Sequence, residues 1–299
     1  MYYDEQTVFF LDGRFVRSGE LADHGADALL GQTMQYGFGL FEGLRAYETV
    51  NGVKIFRGPE HFRRLLNGCA DLGMPVPYSA EELCQISYRL LDMNDLGASY
   101  LRPLVFCPPQ MTLSAPRQAS VFIAAWKWAR YFGEQSLQVG FSQVRRPDPQ
   151  SHPCGLKATG NYLPSMMASM EARKRGYDEA IMLDTNGFVA QAPGANLFLE
   201  RAGSLLTPPE GHVFPGITRR TILALCHELG IPVQERPIKP TELLDADAAF
   251  LCGTATEITP IASVEGMALS LPWEQSVSYT IQQSFQSQVT EKSGNLVIV

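Results

Sequence analysis

The apolar residues of this chain change period repeatedly, and that alternation is the strongest limit on its fold. From Pro59 to Leu72 the residues Phe62, Leu65, Leu66, Cys69 and Leu72 keep helical spacing, with proline at the start and Gly73 just past the end. A second helix is expected from Ala80 to Met93. Around these lie short runs rich in aliphatic and aromatic residues: Thr7 to Leu11, which forms a hairpin through Asp12-Gly13 with a strand from Phe15, then Tyr100 to Phe106 and Ser120 to Trp128. The second half repeats the mixture. Strands are expected at Leu137 to Phe141, Glu179 to Leu183, Phe188 to Ala190, Asn196 to Glu200, Ser204 to Leu206, Pro232 to Glu235 and Ala248 to Cys252, with Asn186-Gly187 as a tight hairpin turn. Helices are expected from Asn161 to Arg175, ended by Gly176, and from Thr218 to Leu229, ended by Gly230. The fold class is mixed α/β (α+β).

With 299 residues the chain has room for two cores. Periodicity lapses from Arg130 to Ser136, around Gly133. The expected division is a small domain over 1–132, a linker over 133–136 and a larger domain over 137–299. Hydrophobic residues make up 45% and charged residues 18%, the balance of a globular enzyme. No apolar run approaches a membrane span, and the opening Met-Tyr-Tyr-Asp-Glu lacks the pattern of a secretory signal, so no membrane partner and a cytoplasmic location are expected. A net charge of −7, with adjacent arginines only as the pairs Arg63-Arg64, Arg145-Arg146 and Arg219-Arg220, argues against a nucleic-acid partner. The six cysteines form no C-x-x-C pair and read as buried thiols, and the five histidines have no metal-ligand spacing, so no metal is expected.

Lysine is scarce enough to be examined one residue at a time. Lys54, Lys174, Lys239 and Lys292 sit in turns, a last helical turn or the tail, where a solvated cation is ordinary. Lys127 lies between two tryptophans at a strand. Lys157 stands in Cys154-Gly-Leu-Lys157-Ala-Thr-Gly-Asn-Tyr162, where glycines permit close backbone approach to a ligand. A simple loop lysine fits the same residues. Two stretches suit an anion: Phe214-Pro-Gly-Ile-Thr218 opens a helix, and Leu251-Cys-Gly-Thr-Ala-Thr256 leaves a buried strand for small and hydroxyl residues. A plain N-cap by Thr218 fits equally well. Gly37-Phe-Gly-Leu-Phe-Glu-Gly43 is one residue too long for a dinucleotide fingerprint, so a nicotinamide enzyme is set aside.

Taken together, the motifs Tyr36 to Tyr47, Glu60 to Leu65, Tyr100-Leu-Arg102-Pro, Lys157 to Leu163, Ala195-Asn-Leu-Phe, Pro215-Gly-Ile-Thr218-Arg and Gly253 to Pro260 strongly resemble the fold-type IV pyridoxal-phosphate enzymes. Within that group they are closest to the branched-chain aminotransferases. The resemblance implies a small α/β sandwich domain and a larger pseudo-barrel domain, pyridoxal 5'-phosphate as cofactor, and a homodimer in which a loop at Cys107 to Thr112 is lent to the partner. It implies that Lys157 carries the cofactor as a Schiff base. Arg64, Ile217, Thr218 and Thr254 would bind its phosphate, Tyr162 its phenolic oxygen, and Gln191 would face its pyridine nitrogen. Tyr100, Ala255 and Thr256 would receive the substrate carboxylate; Tyr36, Phe41, Trp128 and Tyr131 would shape the side-chain pocket, and Arg102 or Arg45 would reach a distal carboxylate. For each aromatic taken alone, core packing is the ordinary explanation.

Two positions depart from the family pattern. Where a glutamate would meet the pyridine nitrogen and a second would precede the asparagine, this chain has Gln191 and Ala195. An amide carries no charge to keep that nitrogen protonated. The function that the resemblance implies is transamination between a hydrophobic L-amino acid, branched-chain-like or aromatic, and a 2-oxo acid; Gln191 and Ala195 are what keep an alternative open. A different reaction on the same cofactor, or a non-catalytic cofactor-binding protein, stands as the alternative.

Overall fold

The computed structural model describes residues 3–24 and 29–291. It divides into two compact units. The first holds the described residues of Met1–Ala129, Leu156–Gly160 and Val289–Val299; the second holds Arg130–Gly155 and Asn161–Gln288.

In the first unit the strands are β1 (Val8–Leu11), β2 (Arg14–Arg17), β3 (Leu40–Phe41), β4 (Leu44–Thr49), β5 (Gly52–Ile55), β6 (Ser99–Phe106) and β7 (Ser120–Trp126). They form one sheet in the order β2-β1-β7-β6-β4-β5, with β3 beside β6. Helices α1 (Gln32–Tyr36), α2 (Gly58–Asp71) and α3 (Ala80–Met93) belong to the same unit. Ser79 starts α3 with a capping box, in which its hydroxyl accepts the Glu82 N–H while the Glu82 carboxylate accepts the Ser79 N–H. Phe62 and Leu65 on α2 and Leu83 and Leu90 on α3 are buried in one core with Leu44, Leu101 and Ile123 of the sheet. The apolar period that marked both helices is the face that makes this core.

The second unit is built on β8 (Leu137–Phe141), β9 (Glu179–Leu183), β10 (Val189–Gln191), β11 (Asn196–Arg201), β12 (Ser204–Thr207), β13 (Val233–Glu235), β14 (Ala248–Gly253), β15 (Glu257–Val264) and β16 (Met267–Ala268). Their order is β10-β9-β8-β15-β14-β11-β12-β13, with β16 on β15. Helices α4 (Leu163–Lys174), α5 (Ile217–Glu228), α6 (Pro240–Leu244) and α7 (Val277–Thr290) complete the described chain. Strands β9, β11 and β14 are buried almost throughout, and Leu137, Ile181, Leu197, Leu251 and Ile261 share one core.

The helix expected from Asn161 begins instead with a 3-10 turn at Thr159–Tyr162 before α4. The hairpin β4–β5, strand β15 and helix α7 were not anticipated. The division also differs from the expected one, because the first unit ends at Ala129 and takes back the five residues around Lys157. The cause is main-chain hydrogen bonding. Phe41 N–H donates to the Lys157 carbonyl at 3.1 Å, Thr159 N–H to Gly39 O at 2.8 Å and Gly160 N–H to Gly37 O at 2.9 Å.

All six cysteines are free, and Cys69, Cys107, Cys226 and Cys252 are buried. Among the described residues no three His, Cys, Asp or Glu side chains are placed to hold a metal, and no helix is long and apolar enough to cross a membrane.

Candidate active site

On the first unit, the lysine singled out by sequence is pinned to β3. The glycines of the rejected dinucleotide-like motif make this possible: Gly37 has φ 70°, and a Cβ there would lie 2.6 Å from the Gly160 Cα. The Lys157 Nζ lies 5.4 Å from the centre of the Phe41 ring. On the same ring sits the Arg102 guanidinium at 4.6 Å, which also donates from Nη2 to the Tyr100 hydroxyl at 3.2 Å. Tyr100 packs edge-on against Trp128, with ring centres 4.8 Å apart. Lys157, Phe41, Arg102, Tyr100 and Trp128 therefore form one connected group. Lys127 is exposed beyond the end of β7 and offers no comparable setting. Tyr36 is 47% exposed and donates its hydroxyl to Met111 O at 3.1 Å, so it reaches the loop that was expected to be lent to a partner. Arg45 is committed elsewhere, donating to the Trp128 and Ala129 carbonyls.

Immediately after Phe41, Glu42 is 1% exposed and draws in four donors. Arg64 binds it in a fork, Nε to Oε1 at 2.6 Å and Nη2 to Oε2 at 3.0 Å; His61 Nδ1 is 2.9 Å and the Gly43 N–H 3.2 Å from Oε2. Burial alone would raise the Glu42 carboxyl, but Arg64 and His61 outweigh it and hold it well below the usual carboxylate range. Burial likewise pushes the His61 imidazole below its ordinary value, and Arg64 and Lys157 push the same way against the pull of Glu42. His61 is thus the neutral tautomer that donates from Nδ1.

On the second unit, three loops adjoin. Gln191 is 4% exposed; its Oε1 accepts the Phe214 N–H at 2.8 Å and its Nε2 donates to Ala192 O at 3.2 Å. Asn196 Nδ2 donates to Phe214 O at 2.9 Å. The two side-chain amides clamp the Phe214 peptide, and this fixes the entry to α5. Gly216 then starts α5 without a side-chain cap, in a space where a Cβ would fall 2.2 Å from Asn196 Oδ1. Ile217 and the Thr218 side chain are buried in its first turn. Alongside, Asn196 is the register partner of Cys252, and Gly253 leads into the turn Thr254–Ala255–Thr256. The Tyr131 N–H donates to Ala255 O at 3.0 Å. Tyr162 is half-buried at the start of α4.

Residues 39–264 match the model of the family Amino-transferase class IV. The chain belongs to the class IV amino-transferase family. A branched-chain-amino-acid aminotransferase of Pseudomonas aeruginosa is 37% identical over 97% of this chain and 95% of its own length. The branched-chain aminotransferase of Thermoproteus uzoniensis, solved with norvaline, superposes with a TM-score of 0.90 at 38% identity, covering 96% of each chain. The branched-chain amino acid aminotransferase of Thermobaculum terrenum, solved in its PLP-bound holo-form, gives 0.86 at 29% identity over 98% of this chain and 96% of that one.

In this class IV amino-transferase, sequence reasoning passed over Glu42, His61 and Asn196 as individual actors. All three stood inside quoted motifs. A carboxylate between Phe41 and Gly43 and a histidine three residues before Arg64 were the available signals, and neither reveals burial by itself.

Proposed function

We propose that the chain catalyses pyridoxal-phosphate-dependent transamination between a hydrophobic L-amino acid, branched-chain-like or aromatic, and a 2-oxo acid. The residues fit that cofactor. Lys157 supplies an amine on a main chain locked to β3; Arg64, held in a fork by buried Glu42, supplies an oriented cation; and the uncapped start of α5 supplies first-turn amides beside the buried Thr218 hydroxyl. When bound, pyridoxal phosphate takes up the amino group at its aldehyde carbon and delocalises the electron pair left when Cα loses its proton.

The observation that carries the proposal is the connected group Lys157–Phe41–Arg102–Tyr100–Trp128. Lys157 Nζ would hold the cofactor and would be the group placed to move the Cα proton. Arg64, Ile217, Thr218 and Thr254 would hold the phosphate, Tyr162 the phenolic oxygen, and Gln191 would face the ring nitrogen. Tyr100, Ala255 and Thr256 receive the substrate carboxylate. Phe41, Trp128, Tyr131 and Tyr36 favour an apolar side chain, since a charge brought among them would lose its water without compensation. With Arg45 occupied, Arg102 is the residue left to meet the distal carboxylate of glutamate. We take the working protein to be a cytoplasmic homodimer, with Cys107 to Thr112 as the lent loop.

The test is a panel of amino acids offered to the cofactor-loaded protein with 2-oxoglutarate. Leucine, isoleucine, valine and aromatic donors should be turned over, with glutamate formed. Turnover of aspartate without any leucine-like or aromatic donor would overturn the proposal.

A further inference from the structure

The hairpin from β14 to β15 turns through Thr254, Ala255 and Thr256, and the first residue of the return strand, Glu257, has φ 55°. A three-residue hairpin loop closed by a left-handed residue is a favoured turn, but glycine normally closes it, because an L side chain is strained there. Observed strain at such a point asks what the side chain does. The Glu257 side chain is buried, and its Oε2 accepts from Arg130 Nε at 2.6 Å and from Gln286 Nε2 at 2.8 Å. Arg130 extends its other arm to exposed Glu134 at 3.0 Å. The next residue, Tyr131, donates its main-chain N–H to Ala255 O. The segment Arg130-Tyr131 is therefore stitched to the turn twice, by a charged side-chain bond at Glu257 and a main-chain bond at Ala255. The turn itself is braced from within, since Thr259 Oγ1 donates to Thr256 O at 2.9 Å.

We propose that Glu257 is a positioning residue that sets substrate side-chain length: by holding Arg130 it keeps Tyr131 at a fixed distance from the Thr254–Thr256 turn. This rests on the reading of Tyr131 as a pocket wall and of Ala255 and Thr256 as the carboxylate partners. Glu257 does not touch substrate. It fixes the spacing between the two ends that a bound amino acid must fit, and a longer apolar side chain depends on that spacing more than a short one.

The experiment uses the cofactor-loaded protein and two acids that lack an amino group and cannot react: 4-methylvaleric acid, the carbon skeleton of leucine, and propionic acid. Their dissociation constants are read from the absorbance of bound cofactor, with cofactor affinity and the KM and kcat for leucine and alanine measured in parallel. Glu257→Gln should weaken 4-methylvaleric acid and raise the leucine KM by about 10-fold, the size expected for loss of a charged hydrogen bond, with propionic acid and cofactor affinity little changed. Glu257→Gly relieves the strained φ, which offsets part of the loss of the Arg130 and Gln286 bonds, and it should show the same loss of length discrimination. If the glycine variant binds both acids as the native protein does, Glu257 serves only the turn and the proposal fails. Equal weakening of both acids, or loss of cofactor, marks general disruption and also overturns it. Failure of the native protein to bind 4-methylvaleric acid would bring down the substrate reading and this proposal together; with native binding intact, a negative result falls on Glu257 alone.

Discussion

The main-chain N–H of Phe214 donates to the side-chain oxygen of Gln191 at 2.8 Å, while the Gln191 nitrogen donates to Ala192 O. The amide orientation is thus set by the protein, with its N–H side on a different partner from its oxygen. A glutamate here would keep the Phe214 bond but turn a carboxylate oxygen toward the Ala192 carbonyl. Its second oxygen would then need a new donor, which under the proposed placement a protonated ring nitrogen would supply.

Gln191→Glu, nearly unchanged in volume, should therefore destabilise the cofactor-free protein by about 1–3 kcal/mol and regain stability when cofactor is bound. Transamination should accelerate by about 10- to 100-fold, the range of a charge-assisted hydrogen bond, as read from the single-turnover absorbance change with leucine. If the variant instead loses a native reaction and gains transamination as a side activity, the alternative chemistry allowed by Gln191 is the true one. No change in either rate means that Gln191 does not control the electron sink.

Arg64 binds Glu42 and is proposed to bind the cofactor phosphate, so its removal should separate into two effects. Arg64→Ala leaves the Glu42 carboxylate buried with His61 as its remaining side-chain donor, a loss of about 3–5 kcal/mol in stability. Replacing Glu42 by Gln in the same protein should recover part of that. Both proteins should bind pyridoxal phosphate about 10- to 100-fold more weakly, while affinity for pyridoxal, which has no phosphate, stays unchanged. Equal losses for the two aldehydes would remove Arg64 from the phosphate site.

The buried His61 and Glu42 give the fold an acid sensitivity with a definite sign. His61 titrates below its ordinary value of 6.5 in the folded state, so below that pH the unfolded chain binds a proton that the folded one does not. Stability is full above 6.5 and falls as pH drops, by up to about 1.4 kcal/mol per pH unit for one proton. The depressed Glu42 carboxyl adds a second loss below its ordinary value of 4.5. Asn at position 61 keeps a donor for Glu42 without a titrating group, so His61→Asn should flatten the slope of urea stability as the pH falls below 6.5. An unchanged slope would place the proton uptake elsewhere.

Much of the frame was legible from spacing. Helix α2 was readable because Phe62 and Leu65 point to one core and proline and glycine mark its ends; Asn186-Gly187 marked the turn between β9 and β10 for similar local reasons. The assignment of Lys157 to the first unit was not readable, since backbone groups of Phe41, Gly39 and Gly37 hold Lys157, Thr159 and Gly160 in turn, and main-chain bonding leaves little trace in side-chain identity. Glu42 looked like an ordinary acidic residue. Its burial follows only once Arg64 and His61, which belong to another element, fold onto it. Gln191 was flagged as a missing charge, whereas its bonds to Phe214 and Ala192 show a second, structural task that no local pattern encodes.

The most direct test of the account is to make the lysine–cofactor link permanent. The native protein is loaded with pyridoxal phosphate, reduced with sodium borohydride and digested, and the peptides are read by mass spectrometry. One modified peptide, carrying the pyridoxyl group on Lys157, is predicted, with no modification and no yellow absorbance in Lys157→Ala. A pyridoxyl group on Lys127 or any other lysine in the native protein, or full yellow absorbance in the alanine variant, would contradict it.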